Sequence, residues 1–125
     1  MTPSRTFWTD LDSLVASSTV IVDRPRGSRH PRDARHIYPL DYGYLQGTTS
    51  GDGQGIDVWL GSSGERDVTG VLSTIDLLKR DLEVKVLLGC SPAEIGEIQA
   101  FFTSLEMRCM LHVRSDDSLT QLNRS

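Results

Sequence analysis

Gly51, Gly53 and Gly55 alternate through one short turn that leads directly into the apolar run IDVWLG. Glycine admits positive φ angles and close backbone approach, so no helix continues through such a turn. Further runs repeat the pattern: TVIVDR, residues 42–50, IDVWLG, DVTGVLSTI, LEVKVLLG and RCMLHVR are short, rich in β-branched residues and separated by turns. Only SPAEIGEIQAFFTSL reads as a full helix. Ser91 caps it, Pro92 suits its first turn, Glu94 completes a capping box, and Ile95, Ile98, Phe102 and Leu105 share one face. Phe101 lies on the flank of that face, available for core packing or association. Residues 7–17 predict a shorter amphipathic helix carrying Phe7, Leu11, Leu14 and Val15. The expected class is mainly β with flanking α: a small, mostly antiparallel barrel or curled sheet with the later helix packed on it.

A chain of 125 residues supports one domain, 1–125, with a polar tail at 115–125 expected to be flexible. No apolar run is long enough to span a bilayer, and the first residues carry acids where an export signal is apolar. A cytoplasmic protein is expected. Cys90 and Cys109 lack metal spacing and read as half-buried thiols. A net charge of −4 and 6% aromatic residues argue against nucleic-acid binding. The charge is uneven: Arg24, Arg26, Arg29, Arg32 and Arg35 lie close together with His30 and His36. Such a segment is either a solvated loop or a contact for an anion.

Asp52 and Asp57 flank the glycine turn. Hard cations such as Mg²⁺ take one or two carboxylates plus water and phosphate, and a flexible turn lets both acids point to one place. Aspartates in such turns also bond their own backbone, which needs no metal. Asp76, Asp81 and Glu83 sit in the turn between two predicted strands. Were that turn beside the glycine loop, converging carboxylates would need a cation to offset their repulsion. Lys85 is either a phosphate contact or an outward strand residue. Tyr38 and Tyr42 either donate to phosphate oxygens or pack in a core; Tyr42 and Tyr44 share a face when extended.

Tyr38-Pro-Leu-Asp-Tyr-Gly-Tyr44, followed by Gly51-Asp-Gly-Gln-Gly-Ile-Asp57 and an apolar run, resembles the soluble family I inorganic pyrophosphatases. DRPRGSR upstream, GVLSTIDLLKRDLEVK downstream and the AEIGEIQAFFTSLE helix extend the resemblance. It implies a five-stranded OB-like barrel and hydrolysis of pyrophosphate, or a related small diphosphate, with Mg²⁺ or Mn²⁺. It also implies metal ligands at Asp52, Asp57, Asp76 and Asp81, catalytic roles for Asp52, Asp57 and Tyr42, and substrate contacts from Arg26, Arg32, Tyr38, Tyr42 and Lys85. A register set by Lys85 instead makes Glu83 the metal ligand and leaves Asp76 out.

The pattern breaks in places. Gln54 and Gly55 stand where the family has Asp-Pro, and the later helix ends in Phe102-Thr103-Ser104 without the family's Tyr-Lys. The expectation is therefore double: a small phosphohydrolase, or a relative that holds metal and phosphate, or a partner, without turnover. A chain this small also gains stability by association, so a homo-oligomer is expected.

Overall fold

The computed structural model describes residues 5–114; the tail expected to be flexible lies outside the described residues. Strand alternation builds two cores, one on each face of a single sheet. The elements run α1 (Phe7–Ala16), β1 (Thr19–Arg24), β2 (Asp41–Gln46), β3 (Ile56–Leu60), β4 (Val68–Asp76), β5 (Asp81–Leu88), α2 (Pro92–Ser104) and β6 (Arg108–Val113). In β3, Val58 and Leu60 point to one core while Trp59 points to the other; in β5, Val86 and Leu88 oppose Leu87 in the same way. Strands buried on both faces lose the simple apolar–polar alternation, which is why IDVWL and VKVLL read as continuous apolar runs.

The first core joins Leu11 and Val15 of α1 to Leu45, Val58, Leu60, Val71, Val86 and Leu88. The second packs Ile95, Ile98, Phe101 and Phe102 of α2 on Tyr38, Tyr42, Trp59, Leu72 and Leu87. Phe101 is thus a core residue. Both helices carry capping boxes, Thr6 with Thr9 and Ser91 with Glu94. Each satisfies backbone N–H groups that have no intrahelical partner.

The mainly β class with flanking helices holds, but the sheet has six strands, ordered β1-β2-β3-β5-β4-β6, and does not close. β1 pairs β2, and β6 pairs β4, so both remain edges. All pairings are antiparallel except β3 with β5, where Asp57 aligns with Lys85. The parallel pair follows from topology: β4 crosses over and returns as β5 against β3. β2 ends at Gln46, short of the extended stretch read to residue 50, because Gly47 turns the chain at φ +82°.

Gly43 sits where β1 and β2 press together. A Cβ there would lie 1.8 Å from the Ile21 carbonyl oxygen, which is backbone and cannot yield. Gly43→Ala is expected to cost on the order of 3 kcal/mol. A thermal midpoint unchanged from the parent would contradict the β1–β2 pairing.

Cys90 is fully buried rather than half-buried, and burial first, then the charge of Glu94, pushes its thiol up to about 12. Cys109 is partly exposed and raised by burial alone in direction. Because the thiolate is the reactive form, Cys90 stays protonated at all pH values below its raised pKa. A thiol reagent applied to native protein at pH 8 should label Cys109 well ahead of Cys90; equal rates would contradict this burial.

Candidate functional site

Beyond the aromatic core under α2, the sheet opens into a cleft of about 440 Å³. Its walls come from β1, β2, β3, the β4–β5 turn and the end of α2. Charged groups gather there: Arg24, Arg32, Lys79 and Lys85 face Asp23, Asp33, Asp57, Asp76, Asp81 and Glu83, with Tyr38 and Tyr42 between.

Lys85 is the central cation. On β5 it follows Glu83 by one strand repeat, so both point to the same face. The parallel register brings Asp57 of β3 beside it. Its Nζ donates to the Tyr42 hydroxyl at 2.9 Å, to Asp57 Oδ2 at 3.1 Å and to Glu83 Oε2 at 2.9 Å. The lysine is 3% exposed. Burial disfavours the ammonium, but the surrounding oxygens and the two carboxylates outweigh it, and the pKa is raised above the ordinary lysine range. Burial likewise raises Tyr42, against the pull of Lys85, so its phenol stays protonated at neutral pH. Lys85 is therefore neither simply outward nor free: it is a charged group held at the cleft floor.

Arg24 is the second cation of the cleft, half-buried, and the sequence marked it only as one of five clustered arginines. Its Nη1 donates to the Tyr38 hydroxyl at 2.5 Å, and its guanidinium lies 5.7 Å from the Tyr38 ring centroid and 5.9 Å from that of Tyr42. A β-bulge puts it there. Val22 opposes Gly43, yet Arg24 opposes Tyr42, leaving Asp23 as the extra residue. The bulge places Arg24 on the Tyr42 face of the strand. Arg26, two residues on, is exposed and lines a different hollow with Leu40, Ser62 and Glu94. The structure thus does not bring Arg26 to the cleft; its backbone N–H is tied to Asp41 Oδ1 at 2.8 Å. Arg32 is at the mouth and exposed, and His30 lies over Tyr38 with ring centroids 6.2 Å apart and planes 6° from parallel. Burial first, then Arg24 and His36, lowers the His30 pKa. Tyr44 leaves the cleft and packs against Gly55.

The acidic residues divide. Asp76 and Asp81 stand opposite each other at the base of the β4–β5 turn, while Glu83 and Lys85 follow on the same face. Strand alternation therefore puts Asp76, Asp81, Glu83 and Lys85 in one cleft, and the two registers left open by the sequence need not compete. Asp52 is elsewhere. It accepts from Ser50 Oγ at 2.5 Å and from the Gln54 N–H at 2.9 Å, within its own turn, and lines an apolar groove beside α1. The Ser50 hydroxyl first, then the Gln54 N–H, lowers its pKa. Asp52 behaves as a turn aspartate, and Gln54 is exposed in the same turn.

Among the described residues, no three Asp, Glu, His or Cys side chains come together to hold an ion. Asp57 and Glu83 already share the Lys85 ammonium. Asp76 and Asp81 are like charges directly opposed across two strands, an arrangement that repels without a cation nearby. Two hard oxygen donors fit a Mg²⁺ ion held jointly with a phosphate ligand, rather than one caged by protein alone.

No family sequence model matches the chain, and no curated protein matches it in sequence. Solved structures do match. An inorganic pyrophosphatase from Neisseria gonorrhoeae superposes with a TM-score of 0.55 at 19% identity, covering 71% of this chain and 77% of that one. The inorganic pyrophosphatase from Coxiella burnetii gives 0.56 at 17% identity, covering 78% and 84%. That from Helicobacter pylori gives 0.54 at 17%, covering 77% and 81%. Over about three quarters of its length, the chain has the fold of the bacterial inorganic pyrophosphatases.

Proposed function

We propose that this chain is a Mg²⁺-dependent hydrolase of pyrophosphate or a related small diphosphate, acting in the cleft around Lys85. The observation that carries the proposal is the meeting of the buried Lys85 and the half-buried Arg24 with Asp57, Asp76, Asp81 and Glu83 in one hollow of a pyrophosphatase fold. Anion and metal need opposite partners, and this cleft offers both.

In this reading Lys85, Arg24 and the Tyr42 and Tyr38 hydroxyls hold phosphate oxygens. The cations are already oriented by phenols, so little reorganisation is needed as charge develops on the leaving phosphate. Arg32 and Lys79 at the rim attract the anion from solvent. Asp76 and Asp81, with Glu83 and Asp57, are the candidate ligands for Mg²⁺ or Mn²⁺, which when bound supplies charge neutralisation and a more acidic water. Hydrolysis breaks the P–O–P bridge: a water oxygen joins one phosphorus, and the bridging oxygen leaves with the other. A carboxylate of the cleft takes the proton that the water loses.

A second reading is a non-hydrolytic binder of metal, phosphate or a partner. It is favoured by the closed salt bridges of Lys85 to Asp57 and Glu83, and by Asp52 being tied into its own turn.

Phosphate release from pyrophosphate with and without Mg²⁺ separates the two. The expected result is Mg²⁺-dependent release that falls about 100-fold in Asp81→Asn and in Arg24→Ala, with circular dichroism unchanged. Arg26→Ala should stay within about twofold, since surface changes away from a site are near neutral. Saturable pyrophosphate binding without release would establish the second reading. Equal losses in Arg24→Ala and Arg26→Ala would refute the assignment of the cleft arginine.

A further inference from the structure

The cleft is not charged throughout. Leu105 and Met107, half-buried at the margin of the α2 core, line it together with Leu78, which is 95% exposed, and the His30 ring. These side chains offer nothing to a phosphate oxygen or a metal ion. Their places are nonetheless built. Glu106 adopts a left-handed φ of 64° after α2, and the Met107 N–H is tied to the Phe102 carbonyl at 3.0 Å, so Leu105 and Met107 are held on either side of a fixed bend. Leu78 is on the β4–β5 turn, whose backbone Asp76 pins by accepting from the Leu78 and Lys79 N–H groups at 3.0 and 3.1 Å.

The space matches this division. About 440 Å³ falls in the range of sites that enclose an organic ligand, roughly 300–1,000 Å³. A bare pyrophosphate anion at Arg24 and Lys85 would leave these apolar side chains uncovered. From these observations we infer that the preferred ligand of the cleft is a diphosphate monoester, its phosphates at Arg24 and Lys85 and its organic group against Leu78, Leu105 and Met107. The inference rests on the proposed function and specifies its substrate class. Hydrolysis of such an ester breaks the same P–O–P bridge and yields an organic monophosphate and inorganic phosphate.

The organic group could be a planar base or an aliphatic chain, since His30 with Leu and Met side chains accepts either. Calorimetry with the full chain and Mg²⁺ distinguishes them. The probes are methylenediphosphonate, its adenosyl ester and its geranyl ester, none of which can be hydrolysed at the bridge. At least one ester is expected to bind about tenfold more tightly than methylenediphosphonate, the scale of a few buried apolar groups. Leu105→Gln should erase most of that preference. Leu78→Gln, at a position too exposed to affect folding, should reduce it severalfold while leaving methylenediphosphonate binding unchanged. Preference for the adenosyl ester identifies a base, and for the geranyl ester a chain; both support the inference. Methylenediphosphonate binding as tightly as both esters overturns it and leaves the proposed function standing. Failure of all three to bind overturns the proposed function as well.

Discussion

A lysine ammonium shut away from water constrains this molecule more than any other single group. Its burial is costly unless opposite charge and hydrogen bonds surround it. Lys85 meets that demand from separate strands: Tyr42 of β2, Asp57 of β3, and Glu83 of its own β5. The parallel β3–β5 register is thereby tied to the electrostatics of the cleft. A slip by one residue would turn Lys85 toward the α1 core and place Val86 among the acids. Pairing and apolar packing thus reinforce the same alignment. A group that looks like a site residue also helps to specify the fold.

Arg24 shows the same economy at an edge strand. The bulge at Asp23 breaks the alternation of β1, turns the arginine onto two tyrosine rings and leaves the strand irregular at its outer end. Irregular edges discourage pairing with another chain. The local device that places a cation in the cleft therefore also blunts the exposed side of β1.

Much of the architecture was legible because its signals are local. β1, β3 and β4 were visible as β-branched runs bounded by turns, and Ser91-Pro92 with Glu94 marks the start of α2 without reference to anything distant. The open sheet was not legible, since closure depends on whether β1 and β6 meet, and nothing in either segment encodes that. The site was legible in part. Tyr38, Tyr42, Asp57, Asp76, Asp81, Glu83, Lys85 and Arg32 line one cleft, as their resemblance to a known pattern suggested. Arg26 and Asp52 do not. Arg26 lies past the end of β1 in a turn, with its N–H tied to Asp41, which directs it to another hollow. Asp52 is bonded within its glycine-rich turn, a local interaction that position along the chain does not reveal. The choice between Asp76 and Glu83 dissolved only with the antiparallel β4–β5 register, a relation between strands rather than within one.

The two halves of the charged cleft are in different states of balance. Asp57 and Glu83 pair with Lys85, whereas Asp76 accepts two N–H groups of its own turn and faces Asp81 across the hairpin. A fold retains such a like-charge pair against its own stability where function uses the imbalance. In the proposed function, Asp76 and Asp81 would hold a cation that offsets their like charge, while Lys85 and Arg24 hold the anion. Each ligand improves the site for the other, because each supplies charge of the sign the other needs. Binding the native state alone would then stabilise the fold by mass action, and most strongly at the β4–β5 turn, where two leucines and two cations stand exposed beside the carboxylates. The turn that carries the acids is exposed from Leu77 to Arg80, so the energetics of the site and the order of that turn are coupled through the same pair of aspartates.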